Sequence, residues 1–375
     1  MIKILYIVST LQRSGPINVL YNLISNLDRT VFEARMITLS PEEENSDIKK
    51  FKDLNVDIEQ LNLTRLQGML VGKRKIEKYI SQYRPDIIHS HGLRPDIINS
   101  SITSECIKFC TVHNYAHEDY VMKYGFIKGK IMAHKHIASL KHIKYPIACS
   151  YSIKSLLYNH QIHAYSIQNG IDTKLYSNSN ADYRTIIRQK YSIPQRAIVF
   201  ISVGSLIERK NPLAVLDAFL GSSICNISYL IMVGTGSLKE KLQKRSQRFK
   251  NVIFTGHVDN VVDFLCASDY FISASRSEGL PMTVLEAMSC GLPVILSDIP
   301  QHNEILKHNK KAGKTFKTIN NLTQIFNTIN TNNQLSYNTM SHAATNLISE
   351  HLSAEVMSKH YQDIYISSVS SLNVK

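Results

Sequence analysis

The segment 275–304 restricts the possible folds more than any other part of the chain. An apolar run at 269–275 leads into it, and a second apolar run at 293–298 lies near its end. Apolar runs without polar alternation are typical of parallel strands that are buried on both faces. Between the two runs, Gly279 favours a turn and Pro281 suits the first position of a helix. The pattern therefore predicts a strand, a turn, a short helix and a second strand of a parallel α/β sheet.

Two carboxylates lie on either side of the predicted helix start. Glu278 precedes it, and Glu286 lies just over one turn inside the helix. A helix start has unpaired N–H groups and a partial positive charge, so it can bind a phosphate group. Carboxylates accept hydrogen bonds from sugar hydroxyl groups. We therefore expect the ligand to be a nucleotide sugar. The candidate binding residues of this segment are Glu278, Gly279, Leu280, Pro281, Met282 and Glu286.

The order of residues in this segment resembles a known family motif. From Glu278 to Val294 the chain reads E-G-L-P-x-x-x-L-E-A-M-x-x-G-x-P-V. This string is similar to the E-x7-E signature of retaining glycosyltransferases of the GT-B fold, family 4. The resemblance implies an α/β protein with two Rossmann-like, doubly wound domains that face each other across a cleft. It also implies that Glu286 holds the ribose hydroxyls of the donor, while Glu278 binds and positions the donor sugar.

Two further segments of the second half resemble the same family. Gly204 to Lys210 is similar to the family's G-R-L-x-x-x-K, which implies that Lys210 binds the donor diphosphate. Ser205 stands where the family has an arginine, and Arg209 is a possible substitute for that missing charge. The strand that ends at Gly256 resembles the family's strand beside the nucleobase. We therefore add Gly204, Arg209, Lys210 and Gly256 to the donor-binding candidates.

The N-terminal region has the pattern of a doubly wound domain. Residues 3–10 form an apolar run, a loop extends to Gly15, and Pro16 is expected to open a helix. In such domains ligands bind beyond the carboxyl ends of the strands. The family resemblance implies that Gly15 lets backbone N–H groups approach the donor diphosphate, although a purely structural turn glycine is the alternative.

Histidines follow two of the predicted N-terminal strands. The sequence T-V-H-N resembles the family's T-x-H, whose histidine lies beside the transferred sugar, so His113 is a catalytic candidate together with Glu278 and Lys210. The segment R-P-D-I-I-H-S-H-G resembles the family's P-D-x-x-H-x-H. His91 fits a ligand contact and a structural role equally well, and His89 is expected to pack or to cap. At the end of the segment 275–304, residues 300–304 stand where the family more commonly has a pair of glycines.

Chain length and composition agree with two globular domains. At 375 residues, two domains are the default. The segment S-I-Q-N-G-I-D resembles the family's interdomain crossing. We predict an acceptor-side domain at 1–172, a nucleotide-sugar-binding domain at 173–353, and a C-terminal helix at 354–375 that returns to the first domain. The six cysteines are scattered and the N-terminal apolar run is too short for a signal peptide, which favours a cytoplasmic protein with free thiols.

The net charge of +13 has more than one explanation. No nucleic-acid-binding motif is present, so nucleic acid is not an expected partner. The window from Lys123 to Lys144 contains lysines and apolar residues but no acid. Such a window is typical of a helix that lies on an anionic membrane surface. A solvated helix whose apolar face packs on its own domain explains it equally well. A peripheral location on the inner face of the cell membrane is thus one expectation.

These features predict a function and its alternatives. We expect transfer of a hexose or N-acetylhexosamine from a nucleotide sugar to a glycan or polyprenyl-linked acceptor in bacterial surface polysaccharide synthesis. A UDP-sugar is the favoured donor, and a GDP-sugar is possible. No D-x-D motif is present, so neither a metal nor another cofactor is expected. The alternatives are a GT-B nucleotide-sugar epimerase and a non-catalytic nucleotide-sugar-binding partner subunit, which the missing arginine suggests.

Overall fold

The chain divides into two compact units. The structure, a computed structural model, describes residues 1–177, 181–329 and 334–371. The first unit comprises Met1–Gly170 and Ala354–Lys375, and we call it the N unit. The second comprises Ile171–Ser353, and we call it the C unit. The chain passes from one to the other after Gly170, whereas the sequence analysis places this boundary after residue 172.

The N unit is built on a parallel sheet. Its strands are β1 (Ile2–Val8), β2 (Phe32–Thr38), β3 (Asp57–Gln60), β4 (Ile87–His91), β5 (Ile107–Val112), β6 (Tyr145–Ala148) and β7 (Tyr165–Ser166). The strand order is β3-β2-β1-β4-β5-β6-β7. Residue Tyr6 of β1 pairs with Met36 on one side and with His89 on the other. The second half of β1 is buried throughout, as expected for a central parallel strand whose two faces are covered by helices.

Helices connect these strands. They are α1 (Gly15–Ser25), α2 (Ile48–Asp53), α3 (Arg65–Tyr83), α4 (Leu93–Ser101), α5 (Ala116–Tyr124), α6 (Phe126–Leu140) and α7 (Tyr151–Tyr158). Thr64 caps α3 by accepting a hydrogen bond from the backbone N–H of Gln67, whose side chain in turn accepts one from the N–H of Thr64. This reciprocal pair satisfies donors that a helix start leaves unpaired.

The C unit repeats the plan. Its strands are β8 (Ile198–Val203), β9 (Ser228–Val233), β10 (Val252–Gly256), β11 (Tyr270–Ser273), β12 (Val294–Ser297) and β13 (Gly313–Phe316). They form a parallel sheet in the order β10-β9-β8-β11-β12-β13. Phe200 of β8 is fully buried and packs edge-on against Phe326, with ring centroids 4.8 Å apart. Burial of such large aromatic side chains is a major source of stability in this core.

The helices of the C unit follow the same alternation. They are α8 (Ala181–Lys190), α9 (Pro212–Leu220), α10 (Lys239–Arg245), α11 (Val261–Cys266), α12 (Met282–Ser289), α13 (Pro300–Leu306), α14 (Ile319–Thr328) and α15 (Gln334–His351). Single 3-10 turns occur at Cys225–Ile227 and Lys310–Ala312. The last helix, α16 (Ala354–Ser370), belongs to the N unit, where Ser358 donates to the carbonyl of Leu23 at 2.9 Å. In the described part of the chain, no helix is both long and apolar enough to cross a bilayer.

Two predicted helix starts are wrong by one residue. Helix α1 begins at Gly15, so Gly15 is its first residue and not part of the loop before Pro16. Helix α12 begins at Met282, because Pro281 has an extended ψ of 111° and occupies the N-cap position. The carbonyl of Pro281 accepts the first hydrogen bonds of the helix. The end of α12 agrees with the sequence, since Gly291 follows it with a φ of 79°.

In each sheet, the order in which the chain adds strands reverses at one place. In the N unit the chain leaves β1 toward β2 and later returns to place β4 on the other side of β1. In the C unit β8 and β11 have the same relationship. Doubly wound sheets bind ligands beyond the carboxyl ends of the two strands at such a switch point. The residues that follow these four strands are therefore the first to consider as a functional site.

Candidate functional site

In the C unit, the loops after β8 and β11 meet. The first loop runs from Gly204 to the start of α9, and the second runs from the end of β11 to the start of α12. The backbone N–H of Arg276 donates to the carbonyl of Arg209 at 2.8 Å, which joins the two loops. The side chains of Arg209, Lys210 and Glu278 thereby lie at the switch point of the sheet.

Glu278 pairs with two cations at once. Lys210 Nζ donates to one of its carboxylate oxygens at 2.5 Å, and Arg209 Nη1 donates to the other at 3.0 Å. Arg209 Nη1 also donates to the carbonyl of Ser277 at 2.9 Å. Both neighbouring cations therefore point toward the same carboxylate. Glu278 thus has two cationic partners, although Ser205 stands where the family has an arginine.

The ion pairs with Lys210 and Arg209 keep Glu278 in its ionised form. The Glu278 side chain is 5% exposed, while those of Lys210 and Arg209 are 21% and 19% exposed. Burial alone would raise the pKa of Glu278, but Lys210 and Arg209 outweigh burial and lower that pKa to about 2. Glu278 is therefore ionised near neutral pH, and the three side chains carry one net positive charge. Such a cluster is suited to an anionic ligand with hydroxyl groups.

Three glycines lie at neighbouring strand ends beside this cluster. Gly204, Gly234 and Gly256 follow or end β8, β9 and β10, and each has a positive φ. A Cβ added to Gly234 would lie only 2.1 Å from the carbonyl oxygen of Gly204, so these two backbones require glycine at that contact. A Cβ at Gly256 would meet no atom within 4 Å. The sheet edge at Gly256 is consequently open, whereas Gly204 lies against the side chain of Lys210.

Glu286 has a different environment from Glu278. It lies in α12, is buried, and forms a hydrogen bond with the side chain of Tyr176. Burial raises the pKa of Glu286 to about 7, although Tyr176 and Lys210 oppose the shift. Ser289 Oγ donates to the carbonyl of Tyr176 at 2.6 Å and so attaches the tyrosine to α12. Sequence analysis missed Tyr176, because it lies in no motif and reaches Glu286 only through the fold.

The remaining candidates of the central segment surround the start of α12. Gly279, Leu280, Pro281 and Met282 are all buried. The φ of Gly279 is not positive, so the predicted need for glycine's conformational freedom is wrong at this position. These residues connect Glu278 directly to the first turn of α12.

The N unit places one histidine at its own switch point and a second at the neighbouring strand end. His91 ends β4, and His113 follows β5, the next strand in the sheet. His91 Nδ1 and His113 Nε2 are 3.0 Å apart and share a hydrogen bond. Burial lowers the pKa of His113 to about 4 and that of His91 well below its usual value. Both rings are therefore neutral near pH 7.

These histidines line a cavity of about 360 Å³ that lies within the N unit. Ser14 and Pro16, on either side of Gly15, also contribute to its wall, together with Tyr120 and Asn114. His89 is separate from the cavity wall. It is fully buried and hydrogen-bonds to Tyr365 at 2.5 Å and to Thr111 at 2.9 Å, in agreement with the packing role expected from sequence.

A hydrogen-bond network also reaches this cavity. His136 lies 2.8 Å from the hydroxyl of Tyr120 and 2.8 Å from a carboxylate oxygen of Asp96. Ser90 Oγ donates to the other oxygen of Asp96 at 2.7 Å. Tyr120 and His136 line the cavity, while Asp96 is fully buried behind them. The sequence does not reveal these residues, because Asp96, Tyr120 and His136 come from three different helices and Ser90 comes from strand β4.

The basic window from Lys123 to Lys144 has two distinct parts. It is not one continuous helix, because Gly125, with a φ of 81°, separates α5 from α6. Ile137 and Leu140 are buried in the N unit, as the packing explanation predicts. The apolar residues nearer the start of the window are exposed instead. They are Phe126, Ile127 and Ile131, and together with Met122, which directly precedes the window, we call them the exposed apolar patch.

Comparison with known proteins agrees with this architecture. The family model described as Glycosyltransferase Family 4 matches residues 14–175, and the one described as Glycosyl transferases group 1 matches residues 183–343. The chain is 27% identical over 322 residues to the O-antigen biosynthesis glycosyltransferase WclY of Escherichia coli. The aligned region covers 81% of this chain and 82% of that protein. It is 28% identical over 247 residues to an Escherichia coli UDP-Gal:alpha-D-GlcNAc-diphosphoundecaprenol alpha-1,3-galactosyltransferase, covering 62% of each.

A solved structure shows the same fold. The crystal structure of Anabaena HepE in complex with UDP-glucose superimposes with a TM-score of 0.78 at 16% identity, covering 99% of this chain and 100% of that chain. Two doubly wound parallel sheets of this kind define an α/β protein of the GT-B class. The two family models together match most of the chain, which therefore belongs to the glycosyltransferases of family 4. The fold class and the family predicted from the sequence are confirmed.

Proposed function

We propose that this chain transfers a hexose or N-acetylhexosamine from a UDP-sugar to a glycan or polyprenyl-linked acceptor in the synthesis of a bacterial surface polysaccharide. The observation that carries this proposal is the cluster in which Lys210 and Arg209 both pair with Glu278 at the switch point of the C unit. A diphosphate needs fixed cations, and a sugar needs an ionised hydrogen-bond acceptor. This cluster supplies both.

Glu278 and Glu286 have different environments, and we propose that they bind different parts of the donor. The diphosphate contacts Lys210 and Arg209, and its arrival releases Glu278 to accept hydrogen bonds from the donor sugar. Glu286 accepts hydrogen bonds from the ribose hydroxyls. Gly256 leaves room for the base at the open edge of the sheet. A uracil base is favoured because Anabaena HepE, which has the same fold, was crystallised with UDP-glucose; a GDP-sugar is the second choice.

The proposed reaction retains the configuration at the anomeric carbon. The bond between that carbon and the β-phosphate oxygen breaks, and a bond to an acceptor hydroxyl oxygen forms. The acceptor's proton passes to the leaving phosphate oxygen. Lys210 and Arg209 stabilise the negative charge that develops on the diphosphate. Glu278 positions the sugar and stabilises the cationic centre, and His113 is the catalytic candidate of the N unit. No metal takes part, so chelation is expected to leave the rate unchanged.

The acceptor is proposed to be attached to a polyprenyl lipid. The Escherichia coli relative named above acts, by its name, on GlcNAc-diphosphoundecaprenol. In this chain, Lys123, Lys128 and Lys130 lie beside the exposed apolar patch, and Lys130 lies over the ring of Phe126 at 4.2 Å. Lysines bind anionic headgroups, while exposed apolar side chains enter the boundary of the acyl region. The patch is therefore proposed to hold the protein on the inner face of the membrane.

Vesicle sedimentation tests the membrane proposal. The full chain should bind vesicles of phosphatidylglycerol and phosphatidylcholine more strongly than vesicles of phosphatidylcholine alone. Ile127→Ser should weaken this binding several-fold, because Ile127 is 76% exposed and central in the patch. Ile227→Ser is the matched control, since Ile227 is 70% exposed but lies in the C unit. Equal binding by both variants would contradict the proposal.

A transfer assay tests the proposed activity. The purified chain is incubated with UDP-glucose, UDP-galactose, UDP-N-acetylglucosamine or GDP-mannose and with synthetic GlcNAc-diphosphoundecaprenol. We expect one UDP-sugar to add a single sugar residue, detected by mass spectrometry, in the anomeric configuration of the donor. An epimerase would change the sugar of the donor without using the acceptor. A partner subunit, the alternative that the missing arginine suggests, would bind the donor without turnover.

A further inference from the structure

A histidine beside the charge cluster has no assigned role. His302 lies in α13, in the segment 300–304 that replaces the family's glycine pair. It is fully buried. Among the residues that the structure describes, its Nε2 atom has no hydrogen-bond partner. A buried polar atom without a partner costs free energy, so such an atom calls for an explanation.

The other ring nitrogen of His302 fixes the proton position. Nδ1 lies 2.9 Å from the carbonyl oxygen of Ser297. A carbonyl oxygen only accepts hydrogen bonds, so Nδ1 carries the proton and donates it. Burial lowers the pKa of His302 to about 4, although Glu278 opposes the shift, so the ring is neutral near pH 7. Nε2 therefore presents a lone pair, and it can only accept a hydrogen bond.

Hydrogen bonds through Ser297 also connect the His302 ring to the segment that carries Glu278. The hydroxyl of Ser297 lies 3.2 Å from Nδ1 of His302 and donates to the carbonyl of Ser275 at 2.6 Å. The charged groups that act on the ring are Glu278 and Lys210, which both belong to the proposed donor site. His302 thus lies at the carboxyl end of β12, next to the strand that leads to Glu278.

From this geometry we infer that His302 Nε2 accepts a hydrogen bond from a hydroxyl group of the donor sugar. This inference rests on the proposed function and adds a specificity-determining residue to it. A phosphate oxygen is not a suitable partner, because it and Nε2 are both acceptors. The ribose hydroxyls are assigned to Glu286. His302 should therefore distinguish a nucleotide sugar from the bare nucleotide.

Two substitutions separate the two ring nitrogens. In His302→Asn, the amide nitrogen replaces Nδ1 and keeps the bond to Ser297, but the acceptor at Nε2 is lost. In His302→Gln, the longer side chain places an oxygen near the former Nε2. Titration calorimetry on the full chain measures the dissociation constants of UDP and of the UDP-sugar that the wild type binds best.

We expect His302→Asn to weaken binding of the UDP-sugar about two- to tenfold while the affinity for UDP stays unchanged. His302→Gln should retain most of the wild-type preference. If His302→Asn keeps the full preference for the UDP-sugar, or loses affinity for both ligands equally, His302 does not contact the sugar. A wild-type protein that binds no nucleotide or nucleotide sugar would overturn the proposed function as well.

Discussion

The two units have the same topology but opposite chemistry at their switch points. In the C unit, the strand ends at the switch point carry ions: Glu278 between Lys210 and Arg209. In the N unit, His91 at the switch point and His113 at the neighbouring strand end are neutral rings, hydrogen-bonded to each other beside a cavity. In doubly wound sheets the topology places the site, and the side chains at the strand ends and in the loops give that site its chemistry.

This contrast assigns different tasks to the two units. An ionic cluster suits the diphosphate of a donor, whose charge must be stabilised as it leaves. A neutral cavity lined by hydroxyl and imidazole groups suits a ligand that has hydroxyls and little charge. We therefore expect substitutions in the C unit to affect donor chemistry, and those in the N unit to affect transfer to the acceptor. Four predictions test this division, in order of decreasing effect.

The largest effect is expected at Glu278. Glu278→Gln removes the negative charge between Lys210 and Arg209 and should reduce transfer by about a hundredfold or more, because the sugar loses its ionised partner. The affinity for UDP should change little. Initial rates and UDP titrations measure the two effects. Glu208→Gln is the control, since Glu208 lies in the same loop but is mostly exposed. A wild-type rate in Glu278→Gln would refute the assignment.

The second prediction concerns Arg209, which we propose supplies the charge of the family's missing arginine. Arg209→Met should lower kcat about tenfold, because the leaving diphosphate loses one of its two cations. Arg276→Met is the matched control: Arg276 is close to the site but is exposed, and its only described salt bridge is a 4.0 Å contact with Glu208. Equal rates for both variants would mean that Arg209 only orients the loop.

The third prediction concerns the N unit. His113→Phe should slow transfer about tenfold and leave UDP affinity within about twofold of wild type. His142→Phe, an exposed position in the same unit, should have no effect. Because burial lowers the pKa of His113 to about 4, this histidine stays neutral above pH 6. The transfer rate should therefore show no step from His113 between pH 6 and 8; a step that disappears in His113→Phe would contradict this account.

The smallest effect is expected at Glu286. Its pKa of about 7 means that it is largely protonated at pH 6.5 in the free protein. Ribose hydroxyls that donate to the carboxylate would lower this pKa, so binding of UDP-glucose should release a proton and affinity should rise from pH 6 to 8. Calorimetry in two buffers of different ionisation enthalpy measures the release. Glu286→Gln should abolish it, and an unchanged release would exclude Glu286 as its source.

The sequence predicted those parts of the molecule that depend on local patterns. Apolar runs located the central strands, and the resemblance to the family's motifs indicated Gly204, Lys210 and Glu278 as site candidates. The helix starts at Gly15 and Met282 were missed by one residue, because proline is accepted at the N-cap and at the first two helical positions.

Residues that depend on tertiary contacts were not predictable. Tyr176 reaches Glu286 across the fold, and the contacts of His302 depend on the packing of α13 against the end of β12. The basic window was ambiguous for a physical reason: α6 exposes Phe126, Ile127 and Ile131 near its start, while Ile137 and Leu140 of the same helix are buried. A single sequence does not show which face of such a helix is covered.

One measurement tests the central claim, that the paired charges of the C unit bind the diphosphate of a nucleotide sugar. Thermal unfolding of the full chain is recorded with UDP, GDP, ADP and their sugars, because a ligand that binds the folded state raises the unfolding midpoint. We predict that UDP and its sugars raise the midpoint of the wild type, and that the Lys210→Ala, Arg209→Ala double variant loses this shift. No shift with any nucleotide, or an equal shift in the double variant, would contradict the account.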